Sequence, residues 1–246
     1  MANTECARSR QEGTMRQTPW ILALGIFVLA FTPLSAGAAD RNLAGCTDDT
    51  ASDDTVIASC TAVILSGQQP DAMLVTAYKN LCLARNDEGD HDRAIEDCDQ
   101  AIRLDPGYGQ AWLFRGHANF NKGDYDSAIA DYDQAIALGW DAAASFVERA
   151  AAYHRKGDEA DAIADLDQAI ARDPNDPTAY FIRGAAYQAQ SDNDRAIADY
   201  GQAIRLAPNF AASFYRRGVL ERKMGDAGAG DADIARARLI DPSLGK

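Results

Sequence analysis

Apolar and polar residues follow a helical rhythm along most of the chain, and the rhythm is cut at regular places. In "QAWLFRGHANFNKG" (110–123), apolar and aromatic side chains recur at helical spacing up to Gly123, a helix-stop residue. Asp124 opens "DYDSAIADYDQAIAL" (124–138), again helix-periodic. The pattern predicts two antiparallel helices joined by a tight turn. No stretch alternates in the manner of a strand, so an all-α domain is expected.

The second of these phrases returns. "RAIEDCDQAIRLDP" (93–106) is echoed by "SAIADYDQAIALGW" (127–140), "DAIADLDQAIARDP" (161–174) and "RAIADYGQAIRLAP" (195–208). The step is 34 residues. Pro106, Pro174, Pro208 and Pro242 keep it, with Trp140 on the missing beat. Ala94, Ala128, Ala162 and Ala196 keep it, as do Trp112, Phe146, Tyr180 and Phe214. Gly116, Gly184 and Gly218 share another beat, with Ala150 substituting once. A fixed period of this size means stacked two-helix repeats. The small residues at 116, 128 and 135 allow close approach, Trp112 and Tyr132 fill the space between, and a proline just past the second helix stops it.

With Trp112, Gly116, Tyr125, Ala128, Tyr132 and Ala135, the best copy resembles the tetratricopeptide repeat family. The resemblance implies a right-handed superhelical solenoid of antiparallel helix pairs. Five repeats are expected at 75–108, 109–142, 143–176, 177–210 and 211–242, followed by a short tail at 243–246. Upstream, "TVIASCTAVIL" (55–65) echoes "RAIEDCDQAIRL" at an offset of 38 residues, so 40–74 reads as a degenerate N-terminal cap. Gly230 replaces an alanine in the last repeat, which makes that pair the least secure.

The family's first helices line a concave surface that grips partner peptides. By that resemblance the groove here presents Leu113, His117, Phe120, Val147, His154, Arg155, Phe181, Gln188, Tyr215, Arg222 and Lys223, apolar in the middle and basic at the C-terminal end. Partners would be other proteins or peptides, with apolar anchors and an acidic group received by Arg155, Arg222 and Lys223.

The formal net charge of −13 argues against a nucleic-acid partner. The first forty residues differ from the rest. Arg8, Arg10 and Arg16 precede the apolar run "WILALGIFVLAF" (20–31), and small residues at Ala36 and Ala38 follow. This is the order of a secretory signal peptide over 1–39, cleaved after Ala38 or Ala39. Twelve apolar residues are too few to span a bilayer, and Met15 is an alternative start. "LAGC" (43–46) has the wording of a lipoprotein site, but Asp40, Arg41 and Asn42 separate it from the apolar run, so ordinary cleavage is expected. Export to the periplasm or outside follows.

Four cysteines remain after such cleavage. Cys82 and Cys98 both fall in one repeat, at the small and large positions of its two helices, and Cys46 and Cys60 bracket another helix hairpin. Disulfides Cys82–Cys98 and Cys46–Cys60 are expected, with buried free thiols as the alternative.

The triplets "DCD", "DYD" and "DLD" cannot chelate one ion, because residues two apart on a helix point to different sides. A solvated acidic face is the expectation. Asp97, Asp131, Asp165, Asp199 and Asp233 recur every 34 residues, as do Arg115, Arg149, Arg183 and Arg217. A ladder of structural ion pairs is expected, with a ligand-binding arginine row as the sharper alternative.

No catalytic, metal or nucleotide motif is present, and no cofactor is expected. The reading is a non-catalytic interaction scaffold of the cell envelope. The alternatives are an enzyme or small-ligand receptor using His117 and His154, and a structural role with the last helix as docking edge.

Overall fold

A computed structural model describes residues 36–140 and 142–244. The described residues form twelve helices and no strand. They are α1 (Ala36–Thr47), α2 (Asp53–Leu65), α3 (Asp71–Asp87), α4 (His91–Leu104), α5 (Gly109–Lys122) and α6 (Tyr125–Ala137), then α7 (Ala142–Lys156), α8 (Glu159–Arg172), α9 (Pro177–Ala189), α10 (Asn193–Leu206), α11 (Ala211–Lys223) and α12 (Ala227–Ile240). Each odd helix packs on the even helix that follows it, and each even helix on the next odd one, giving an all-α solenoid of helix pairs.

The turns inside the pairs show why the sequence breaks where it does. Gly89, Gly123, Gly157 and Gly225 take left-handed backbone at φ of 82°, 87°, 89° and 100°, open to glycine at little cost. Ser191 holds the same place between α9 and α10 at φ 65°, the one non-glycine residue with positive φ among those described. An aspartate follows each turn. Asp90, Asp124, Asp192 and Asp226 accept from backbone N–H groups of the second helix's first turn, satisfying donors that the helix cannot.

The core of each pair is a small residue facing a large one. A Cβ built on Gly116 would lie 2.6 Å from Cε1 of Tyr132, whose side chain is fully buried. Gly184 stands in the same way against Tyr200 and Gly218 against Ile234. Where the large side chain shrinks to Leu166, the small one grows to Ala150, and both are buried. In the α3–α4 pair the two positions are Cys82 and Cys98, joined by a disulfide with Cα atoms 5.4 Å apart. The second disulfide, Cys46–Cys60, ties α1 to α2 with Cα atoms 4.6 Å apart.

The last pair is closer than expected. A Cβ on Gly230 would meet the Gly218 carbonyl oxygen and Arg222 Cγ, each at 2.5 Å. Glycine there lets α11 and α12 pass backbone to backbone, so the substitution tightens the pair. At the N-terminus, α1 includes Ala36 to Ala39 of the expected signal, and α3 starts at Asp71, ahead of the expected repeat boundary at 75. The remainder of the signal lies outside the described residues. Cys46 is 1% exposed and bonded to Cys60.

Both aspartates of each triplet are engaged: the first is buried, and the second stays on the solvated face while reaching an arginine of the next pair. Arg115 grips Asp131 of its own pair with Nε (3.0 Å) and Nη2 (2.6 Å), and Asp99 of the preceding pair with Nη1 (2.5 Å). Arg149 repeats this with Asp165 and Asp133, and Arg183 with Asp199 and Asp167. Residues two apart on a helix face different sides, so one carboxylate turns to its own pair and the other to the next. The first repeat has Leu81 at the arginine place, and Arg85, one turn on, meets Asp97 instead. In the fifth, Arg217 holds Asp233 but finds Gly201 where a preceding aspartate would stand. The arginines are thereby occupied as structural fork ligands.

Candidate partner-binding surface

The first helices form a row. α1 meets α3, α3 meets α5, α5 meets α7 and α7 meets α9, whereas α9 and α11 make at most a marginal contact. On this row the structure separates the expected groove residues into three groups.

Leu113 and Val147 are core residues, 8% and 7% exposed. Leu113 packs with Tyr132, Ala135 and, across the seam, Ala152 of the next pair. Val147 packs with Leu166, Ala169 and Ala179. The small alanines opposite leave room for a modest aliphatic chain to drop into the seam, so these two do not offer a surface to a ligand. Phe181 is half-buried, its ring 4.9 Å from Phe210 and 5.7 Å from Tyr200. Gln188 accepts from the Tyr200 hydroxyl at 2.8 Å.

His117 and Phe120 do come together. With Asn86, Asn121 and Glu148 they line a depression of about 190 Å³ between α3, α5 and α7. His117 Nε2 is 3.6 Å from Glu148 Oε1, outside hydrogen-bond range, and has no hydrogen-bond partner. Asn86 Oδ1 accepts from Asn121 Nδ2 at 3.1 Å, and Arg155 lies over the Phe120 ring at 5.8 Å. His154 stands apart from this depression, 2.7 Å from Glu159 Oε2 at the α7–α8 turn. The lining residues include no serine, threonine, cysteine or lysine, and among the described residues no cluster suits a metal ion.

The third group is exposed on α11. Lys223 and Arg222 face solvent, Arg222 within 3.3 Å of Asp231, and Tyr215 is half-buried. Arg216 and Val219 belong with them, both exposed and one turn apart. Sequence reasoning missed these two, along with Asn86 and Glu148. The available signal was the 34-residue step: Asn86 is one period before Phe120, and Arg216 is two periods after Glu148.

Among the described residues no helix is long and apolar enough to cross a membrane. No curated protein sequence matches the chain. Solved structures do match in fold. MamA from Desulfovibrio magneticus is 18% identical with a TM-score of 0.62, over 70% of this chain and 98% of that one. YrrB, described as a TPR protein with an unusual peptide-binding site, is 20% identical with a TM-score of 0.57, over 75% and 93%. A tetratricopeptide repeat protein from Parabacteroides merdae is 17% identical with a TM-score of 0.61, over 77% and 72%. At these identities the likeness concerns the fold. The family's own sequence signatures, described as tetratricopeptide repeat or TPR repeat, match at 83–143, 152–191 and 177–210. With the 34-residue period and the small-against-large helix pairs, these place the chain in the tetratricopeptide repeat family.

Proposed function

We propose that this protein is a non-catalytic scaffold of the cell envelope that holds a segment of another protein along its row of first helices. The observation carrying this reading is the exposed α11 stripe of Arg216, Val219 and Lys223, on the same row as the depression around His117. The apolar side chains act as anchors, and the cations of α11 orient an acidic group of the partner. Residues 1–39 act as the export signal, 40–74 as the cap and 75–242 as the five binding repeats. The two disulfides accord with an oxidising compartment.

The test uses photo-crosslinking side chains placed singly at Val219 on α11 and at Arg236 on α12, in the exported protein. Products formed from Val219 and not from Arg236 support the concave site. Products formed only from Arg236 overturn it and assign the partner to the end face.

A further inference from the structure

We propose that the junction between the fourth and fifth repeats is a hinge, about which α11 and α12 swing as one body against the preceding repeats. The junctions differ in how they are stitched. Between the first and second repeats stand Arg115–Asp99, Lys122–Asp92 and the Asn121–Asn86 hydrogen bond. Between the second and third stand Arg149–Asp133 and Lys156–Asp126. Between the third and fourth, among the described residues, only Arg183–Asp167 remains. Among the described residues no ion pair and no side-chain hydrogen bond joins the fourth repeat to the fifth.

The cause is legible residue by residue. Gly201 replaces the aspartate that would have met Arg217; a Cβ there would lie 3.2 Å from Arg217 Nη1, so the cation is in place and its partner is missing. Met224 occupies the position of Lys122 and Lys156, which leaves Asp194 without the bond that Asp92 and Asp126 receive. The first-helix row is also thin at this junction, where α9 and α11 make at most a marginal contact, although α5 and α7 meet little more closely. What holds it is apolar: Leu220, fully buried, packs with Tyr187, Ala196 and Tyr200. Apolar burial has no preferred direction, whereas the Nη1 arm of an arginine already forked onto its own pair reaches the carboxylate behind it in one direction only, so this contact permits sliding that the stitched junctions resist. The fifth repeat itself stays rigid, because Gly218 and Gly230 bring its helices into backbone contact and Arg217 bonds Asp233. The swing carries Arg216, Val219 and Lys223 with it, but the motion does not depend on what those residues bind.

The second helices supply matched probe sites, the exposed alanines Ala130, Ala164, Ala198 and Ala232, one per repeat. Spin labels on cysteines introduced in the pairs 130/164, 164/198 and 198/232, in a chain also carrying Cys6→Ser, report the distance distribution across each junction. The expected result is a distribution about twofold broader for 198/232 than for 130/164. Gly201→Asp narrows it, and Gly201→Ala, which stiffens the helix without supplying a carboxylate, does not. Conversely, Asp167→Gly broadens 164/198. Equal widths at all three junctions overturn the hinge, and equal narrowing by Gly201→Asp and Gly201→Ala overturns the missing ion pair as its cause.

Discussion

Replacing Gly116 with alanine tests the rule that sets how close each helix pair lies. The added Cβ would fall 2.6 Å, 2.8 Å and 3.1 Å from three atoms of the Tyr132 ring. That ring is fully buried. Overpacking of this kind costs about 2 kcal/mol. Removing a helical glycine returns about 1 kcal/mol. The net loss expected for Gly116→Ala is therefore about 1 kcal/mol. Tyr132→Leu alone leaves a cavity and costs about 2 kcal/mol. Its hydroxyl has no hydrogen-bond partner, so no bond is lost with it. The double variant recreates the Ala150–Leu166 pair of the third repeat, in which both side chains are buried without a glycine. The clash disappears and the new methyl fills part of the vacated space. The two changes should couple favourably by about 2 kcal/mol, leaving the double variant more stable than Tyr132→Leu. Urea unfolding followed by helical circular dichroism, with the slope checked for constancy across the set, measures the cycle. Simple additivity of the two losses would refute the account of pair spacing.

Ser191→Gly should stabilise the chain by about 1 kcal/mol and raise the melting temperature by about 3 °C, because it relieves the one left-handed turn lacking glycine; an unchanged melting curve counts against that strain. Arg149→Met leaves Asp165, 9% exposed at its side chain, without its forked partner and should cost about 3 kcal/mol. Asp133→Ala, on the half-exposed arm of the same arginine, should cost only about 0.5 kcal/mol in the same unfolding assay. Burial pushes the Asp97 carboxyl up to about 6, with Arg85 pulling the other way. The native chain then keeps a proton that the unfolded chain releases, so this group's contribution falls as pH rises from about 4 to about 6 and stays low above it. Asp97→Asn should flatten that part of the stability profile, and an unaltered slope would show that the pair with Arg85 outweighs burial.

Much of the fold was legible because every repeat restates it. A single "DYDQAIAL" is weak, but the same apolar beats in register over the chain leave little choice besides stacked helix pairs. The Cys82–Cys98 bond was legible for the same reason, since both departures fell at one contacting position pair. The arginine and aspartate rows were visible too. The second aspartates, Asp99, Asp133 and Asp167, keep much of their expected exposure, but their arginine partners were missed because these lie in the next repeat, where a single-helix argument does not look. Leu113 and Val147 failed differently. Their place on the first helix is the same as that of Phe181 and Tyr215, but a shorter side chain opposite an alanine sinks into the seam, while the aromatic rings stay half-exposed. Helical phase gives the direction of a side chain, and the depth of the seam depends on what stands across it.

The arginine ladder also carries a copying rule. Each bridging arginine finds one aspartate sixteen residues behind it and another sixteen ahead. Excising residues 143–176 would bring Asp133 to the place that Asp167 holds relative to Arg183, so the joint would be remade from residues already present. A gene encoding such a chain can gain or lose whole modules by duplication or deletion without redesigning the seam, whereas a one-residue insertion between α6 and α7 would put the arginine out of register with the carboxylate behind it. The rule also has a stop. Gly201 and Ala235 hold the outgoing positions of the last two repeats, and neither offers a carboxylate, so a further module appended there would lack the arginine anchor that registers the earlier ones.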